Sequence, residues 1–160
     1  MDTPAIETRD LDFSFRRDGL RISSLNIKVW KGAIYGFLGP NGSGKTTSIK
    51  LMLGLLPPSN GTVMLFGNDL KKETPGIFSR RGTLVETPSL YNHLSAFDNL
   101  KIVQLIKKIP VESINDSLAL VGLSNVAKRP VGKFSLGMKQ RLGLAIALMS
   151  SPELLILDEP

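Results

Sequence analysis

Apolar residues recur at two spacings along this chain, and the change from one to the other predicts its elements. Near the N-terminus the period is two. Leu11, Phe13 and Phe15 alternate with polar neighbours, as do Leu25, Ile27 and Val29, which predicts antiparallel strands with one buried face. Residues 33–38, AIYGFL, are almost wholly apolar, the pattern of a short strand buried on both faces. Ile49, Met52, Leu53 and Leu56 then fall at i, i+3, i+4 and i+7, predicting a helix with one apolar stripe that stops at Pro57 and Pro58.

In SNGTVMLFGNDL, residues 59–70, Gly61 and Gly67 bracket an apolar run, which reads as turn, strand and turn. GTLVE, residues 82–86, reads as a further strand. Helical signals dominate after it. Ser95-Ala96-Phe97-Asp98 has the spacing of a capping box, and Ile114, Leu118 and Val121 lead to a Gly122 cap. KFSLGMKQRL opens another helix with Met138, Leu142, Ala145 and Met149 on one face. Ser150, Ser151 and Pro152 end it, and LLIL at 154–157 forms a last strand.

Two stretches carry chemistry. Residues 39–46, GPNGSGKT, match the P-loop pattern, with a strand predicted before it and an amphipathic helix after it. Gly39, Gly42 and Gly44 lack a Cβ, so the backbone running through Pro40, Asn41 and Ser43 can curl with its N–H groups toward phosphate oxygens. The helix that follows, beginning with Thr46 and Thr47, points about half a positive charge at the same spot. Lys45 adds a full charge for the terminal phosphates, and the Thr46 hydroxyl can ligate Mg²⁺. The plainer alternative is a glycine-rich turn capping a helix. The flanking elements favour a nucleoside triphosphate site.

The second stretch is LLILDEP. An apolar strand ending in Asp158 resembles the Walker B element, whose carboxylate holds Mg²⁺ from the side opposite the P-loop threonine. Glu159, immediately after, could polarise an attacking water.

Composition narrows the classes. The chain has 160 residues, fitting one domain. No cysteine is present, which excludes a disulfide framework, a thiol nucleophile and a Cys-based zinc site. The net charge of +6 and pI near 9.7 raise nucleic acid or an anionic membrane as partners. However, basic pairs such as Arg80-Arg81 and Lys128-Arg129 are scattered, and no aromatic residues alternate with them as a stacking platform requires. A solvated surface accounts for them. The longest apolar run, at 142–149, is far short of the ~20 residues that cross a bilayer.

Together the P-loop, LLILDEP and the intervening KFSLGMKQRLGLAIAL resemble the ATP-binding subunits of ABC transporters. The family signature, LSGGQ followed by a basic residue, Gln and Arg, corresponds to Phe134-Ser135-Leu136-Gly137-Met138 and Lys139-Gln140-Arg141. Leu136 replaces the first glycine and Met138 the glutamine, while Ser135 and Gly137 remain. The resemblance implies an α/β P-loop NTPase core with a mainly parallel sheet, an N-terminal antiparallel β subdomain and a helical subdomain over about residues 86–150. It implies one nucleotide-binding domain over residues 1–160 whose C-terminal strands are missing. ATP and Mg²⁺ are the implied cofactors, with Ser135, Gly137 and Met138 reading the γ-phosphate on a second ATP-binding subunit in a head-to-tail dimer.

Other roles come with the same resemblance. Phe15 stands where the family stacks an aromatic on adenine, although a core position suits it equally. Glu86 stands where the family has a glutamine touching Mg²⁺; an ordinary strand-end glutamate is the alternative. His93, the sole histidine, reads as a loop residue. Glu86, Thr-Pro-Ser-Leu-Tyr at 87–91 and SLGMKQR look like the branch exporting bacitracin-type or lantibiotic-type peptides. Membrane-spanning subunits would dock on residues 86–99, placing the protein in the cytoplasm, peripheral on the inner membrane face. The rival is a soluble ABC-type ATPase acting in translation or on nucleic acid. Its repair-type form needs a long coiled coil between P-loop and signature, and the interval here is short. In the family a turn, further strands and a histidine follow Walker B, so the 160 residues are expected to bind nucleotide and hydrolyse it barely, if at all.

Overall fold

The period-two pattern becomes an antiparallel sheet centred on β1 (Ile6–Ser14), in a computed structural model that describes residues 3–14, 19, 21–72, 76 and 79–159. The chain divides into two compact units, Met1–Phe78 and Ser79–Pro160.

In the first unit β1 pairs with β2 (Arg21–Leu25), β3 (Lys28–Val29) and β4 (Asn60–Leu65), and β4 pairs with β5 (Asn68–Asp69). Leu11 and Phe13 are buried as their alternation predicts, with Ile27 beside them. Thr8, also buried, satisfies its hydroxyl by donating to Leu25 O at 2.8 Å and accepting from Ile27 N–H at 2.8 Å. The β1–β4 register shifts between Arg9 and Asp12. There β4 passes so close that a Cβ on Gly61, at φ +84°, would stand 2.3 Å from Asp10 O. Glu7 faces Arg9 and Lys28, each at 3.2 Å, and these cations hold its carboxyl below the usual range.

Helix α1 (Lys45–Met52) buries Ile49 and Met52 as predicted, and Leu51 as well. It ends earlier than its prolines suggest. Gly54 at φ +72° donates to Leu51 O at 3.0 Å, and Leu55 N–H reaches back to Lys50 O at 2.9 Å. This Schellman geometry closes the helix before Pro57 is reached.

Residues 33–38 depart from the reading of a strand buried on both faces. They form no strand, and all but Phe37 are exposed, Ile34 and Leu38 almost fully. A strand of this kind becomes one only through neighbours that accept its backbone groups. Among the described residues none pairs with it.

In the second unit β6 (Arg81–Leu84) and β7 (Leu154–Leu157) run parallel, pairing Arg81 with Leu154 through to Leu84 with Leu157. Arg80 and Glu153 precede that ladder and fix its start. The guanidinium donates to both carboxylate oxygens at 2.6 and 2.7 Å, and Glu153 N–H donates to Arg80 O at 2.8 Å. Helices α2 (Ala96–Lys107), α3 (Glu112–Leu120) and α4 (Leu136–Leu148) enclose a core in which Leu100, Ile114, Leu118, Leu123, Val131 and Leu142 are essentially inaccessible. Ser95 caps α2 by accepting from Asp98 N–H at 3.0 Å. Gly122, at φ +67°, ends α3 as its sequence predicts, with Leu123 N–H donating to Leu118 O at 2.8 Å.

Helix α4 lies against β6 with no room between them. A Cβ on Gly82 would stand 2.1 Å from Ala147 O, a backbone atom that cannot swing aside, and one on Gly143 would meet Pro88 at 2.8 Å. Gly82→Ala should therefore destabilise the protein by about 1–3 kcal/mol or more through overpacking. Denaturant unfolding monitored by circular dichroism checks this, and an unchanged midpoint would contradict the close approach.

Candidate functional site

The loop before α1 owes its shape to glycine. Gly42 at φ +80° and Gly44 at φ +91° occupy the left-handed region that side-chain-bearing residues rarely adopt. Gly39 is restricted in another way, since a Cβ there would meet Ser43 Oγ at 2.8 Å. Ser43 N–H donates to Pro40 O at 3.2 Å and closes the turn. Asn41, Gly42 and Ser43 are exposed; Lys45, Thr46 and Thr47 are half-buried.

This loop delivers an uncapped helix. Gly44 stands at the N-cap of α1 with no side chain to accept from the first turn, and no acidic residue lies in that turn. Backbone donors without intrahelical partners are therefore gathered at the positive end of the helix dipole. Lys45 adds a cation at the first helical position, which opposes the dipole. Its Nζ donates to Gly39 O at 2.9 Å and Pro40 O at 3.1 Å, folding back on the loop it leaves. Unopposed donors, a lysine and a left-handed glycine backbone are the chemistry that receives an anion of high charge. In charge and donor chemistry the arrangement fits a nucleoside triphosphate.

The acidic residues stand in the second unit, at the C-terminal ends of its parallel strands. Asp158 follows β7, and its N–H donates to Leu84 O at 2.9 Å, carrying the ladder one step past the strand. Its side chain is half-buried, whereas Glu159 is exposed at φ +47°. Glu86, also exposed, turns at φ +64° two residues beyond β6. The ends of paired parallel strands are where open α/β sheets commonly gather ligand contacts. Among the described residues no three His, Cys, Asp or Glu side chains cluster into a metal cage.

The signature segment opens α4. Ser135 is its N-cap and accepts from Met138 N–H at 3.3 Å, while a Cβ on Gly137 would meet only open space. Leu136 is exposed, and Met138 packs against the helical core. His93 sits in an exposed loop with its ring edge-on to Tyr91 at 6.2 Å. Phe15 and Pro160 lie outside the described residues. Sequence reasoning passed over Asn99, which is buried and engaged in three side-chain hydrogen bonds with Tyr91 and Ser95. Its one signal was an amide set among apolar residues just after a capping box.

The ABC transporter family pattern matches residues 22–160. The chain belongs to the ABC transporter family. Among curated relatives, the bacitracin transport ATP-binding protein BcrA of Bacillus licheniformis is 50% identical over 87% of this chain and 46% of its own length. The lantibiotic transport ATP-binding protein SrtF of Streptococcus pyogenes is 43% identical over 87% of this chain and 59% of its own. The chain thus spans about half the length of the curated relatives it matches. Among solved structures, an ATP-binding subunit of an ABC transporter aligns with a TM-score of 0.85 at 26% identity, covering 98% of this chain and 66% of that one. The cbiO1 component of the cbiONQ transporter complex from Clostridium perfringens aligns at 0.82 and 25%, covering 99% of this chain and 66% of that one. Membership accounts for the α/β fold and carries ATP binding with it.

The Lys45 geometry generates a test. MgATP at 100 times its dissociation constant should stabilise the chain by about 2.7 kcal/mol. Lys45→Ala should remove most of the corresponding rise in melting temperature while leaving the nucleotide-free melting temperature nearly unchanged. An undiminished rise in this variant would overturn the role given to the loop.

Proposed function

We propose that the chain is the ATP-binding motor of an ABC transporter exporting antimicrobial peptides of the bacitracin or lantibiotic kind. The observation that carries the nucleotide half is the uncapped α1 N-terminus with Lys45 folded onto the Gly39 and Pro40 carbonyls. Likeness to the bacitracin and lantibiotic transport proteins supports the cargo. The P-loop backbone from Gly39 to Gly44 binds the phosphates and Lys45 neutralises the terminal ones; Thr46 of the first unit would supply an oxygen to Mg²⁺, and Asp158 and Glu86 are the carboxylates of the second unit proposed for that ion. When bound, Mg²⁺ draws charge from the phosphate oxygens. Glu159 orients and accepts a proton from the attacking water. Ser135 and Gly137, at the open end of α4, meet the γ-phosphate carried by a second ATP-binding subunit, and Met138 holds that end against the helical core.

No helix among the described residues is long and apolar enough to cross a membrane. In this reading membrane-spanning partner subunits carry out the export step and are received by residues 86–99 on the inner face of the membrane. The exposed Tyr91 ring and the neighbouring Leu90 supply the apolar contact.

The absence of cysteine gives a direct experiment. Ser89→Cys, at an exposed neighbour of Tyr91, introduces a thiol into these cysteine-free 160 residues for a benzophenone crosslinker and keeps the Tyr91 ring. In the native assembly its adducts should fall on a membrane-spanning protein, and MgATP turnover there should disappear in Glu159→Gln while MgATP binding persists. Adducts on ribosomal protein or RNA would overturn the transporter reading.

A further inference from the structure

Asn99 is only 3% exposed, lies in the first turn of α2, and has no place in the nucleotide chemistry. Its amide is engaged at both ends. Oδ1 accepts from Tyr91 N–H at 2.9 Å, while Nδ2 donates to Tyr91 O at 3.1 Å and to Ser95 O at 2.8 Å. The side chain thus grips both backbone groups of Tyr91, as a neighbouring strand would, and ties them to the cap of α2. A buried amide so engaged specifies one geometry, because rotating it leaves buried donors and acceptors unpaired.

The residues just past Tyr91 are fastened independently. Gly132 N–H donates to Asn92 O at 2.7 Å, Val131 N–H donates to Leu94 O at 2.9 Å, and Ser95 bridges to Pro130. A Cβ on Gly132 would stand 3.0 Å from Asn92 O, so the two backbones are already in close contact. The result is a loop with a fixed backbone that presents Tyr91, a residue 54% exposed, beside a Leu90 packed on the helical core. A fixed loop carrying an exposed aromatic needs little ordering when a partner arrives.

We propose that Asn99 is a positioning residue for partner recognition, holding the Tyr91 loop in the conformation that receives an apolar helix of a membrane-spanning subunit. This rests on the docking surface proposed above. Tyr91 contributes its backbone to the clamp and its ring to the partner, so the crosslinker is placed beside it, at Ser89→Cys, which keeps both.

The test compares Asn99→Ala, which removes all three bonds, with Asn99→Asp, which keeps an acceptor for Tyr91 N–H and loses the amide donors. Hydrogen exchange at the Tyr91 amide should quicken about tenfold or more in Asn99→Ala, as expected for one lost buried hydrogen bond, and less in Asn99→Asp. Crosslinking from Ser89→Cys to the membrane-spanning protein should fall by a similar factor in Asn99→Ala. The melting-temperature rise with MgATP should stay as in the unsubstituted chain. Unchanged crosslinking despite faster exchange would overturn the positioning role. So would equal loss of crosslinking and MgATP stabilisation in both variants, which would mark general unfolding. If Ser89→Cys with Asn99 intact yields no membrane adduct, the docking reading falls and the positioning role falls with it.

Discussion

The second unit depends on one close approach, between the backbone of β6 at Gly82 and the carbonyl of Ala147 in α4. A single methyl group at residue 82 would stand 2.1 Å from that oxygen. With Gly143 pressed on Pro88 in the same helix, α4 is brought flush against the strand. Three candidate groups depend on this contact. Asp158 hangs from β7, which is in register with β6; Glu86 leaves the end of β6; and Ser135 caps the far end of α4. Widening the gap by one carbon would shift the helix relative to both strands. Native packing density leaves no slack to absorb that shift.

The first unit is governed by charge. A lysine placed at the positive end of an uncapped helix is locally unfavourable, and the loop answers it with two of its own carbonyls. Carbonyl dipoles are weaker partners for an ammonium than phosphate oxygens are. The nucleotide-free loop is therefore held in shape by an interaction it readily gives up. The left-handed backbone at Gly42 and Gly44 does not depend on that interaction, because no side chain competes for it.

Local chemistry was the legible part. The P-loop, the Ser95 cap with Asp98, the Gly122 closure of α3 and the LLIL strand all rest on residues within a few positions of each other. Their physics is written in spacing, and the structure reproduces it. What depended on distant partners was hidden. Residues 33–38 have the composition of a central strand, but being a strand is a property of neighbours, and no spacing reveals whether neighbours are present. The end of α1 was misplaced for a different reason. Pro57 and Pro58 are conspicuous breakers, yet Gly54 comes first and its positive φ had already turned the chain. Asn99 was invisible because its value lies in the Tyr91 backbone, which sequence places in an unremarkable loop.

The unpaired stretch at 33–38 also has a colloidal side. It is a six-residue run without charge or proline, rich in aromatic and branched residues and open to solvent. Segments of that composition stack readily into cross-β ribbons when chains meet at high concentration. Its flanks act against this. Lys31 and Gly32 precede it, and Gly39 and Pro40 follow, so a charge guards one end and a residue that cannot extend a ladder guards the other. The proline that shapes the phosphate loop is thus also a gatekeeper against self-association.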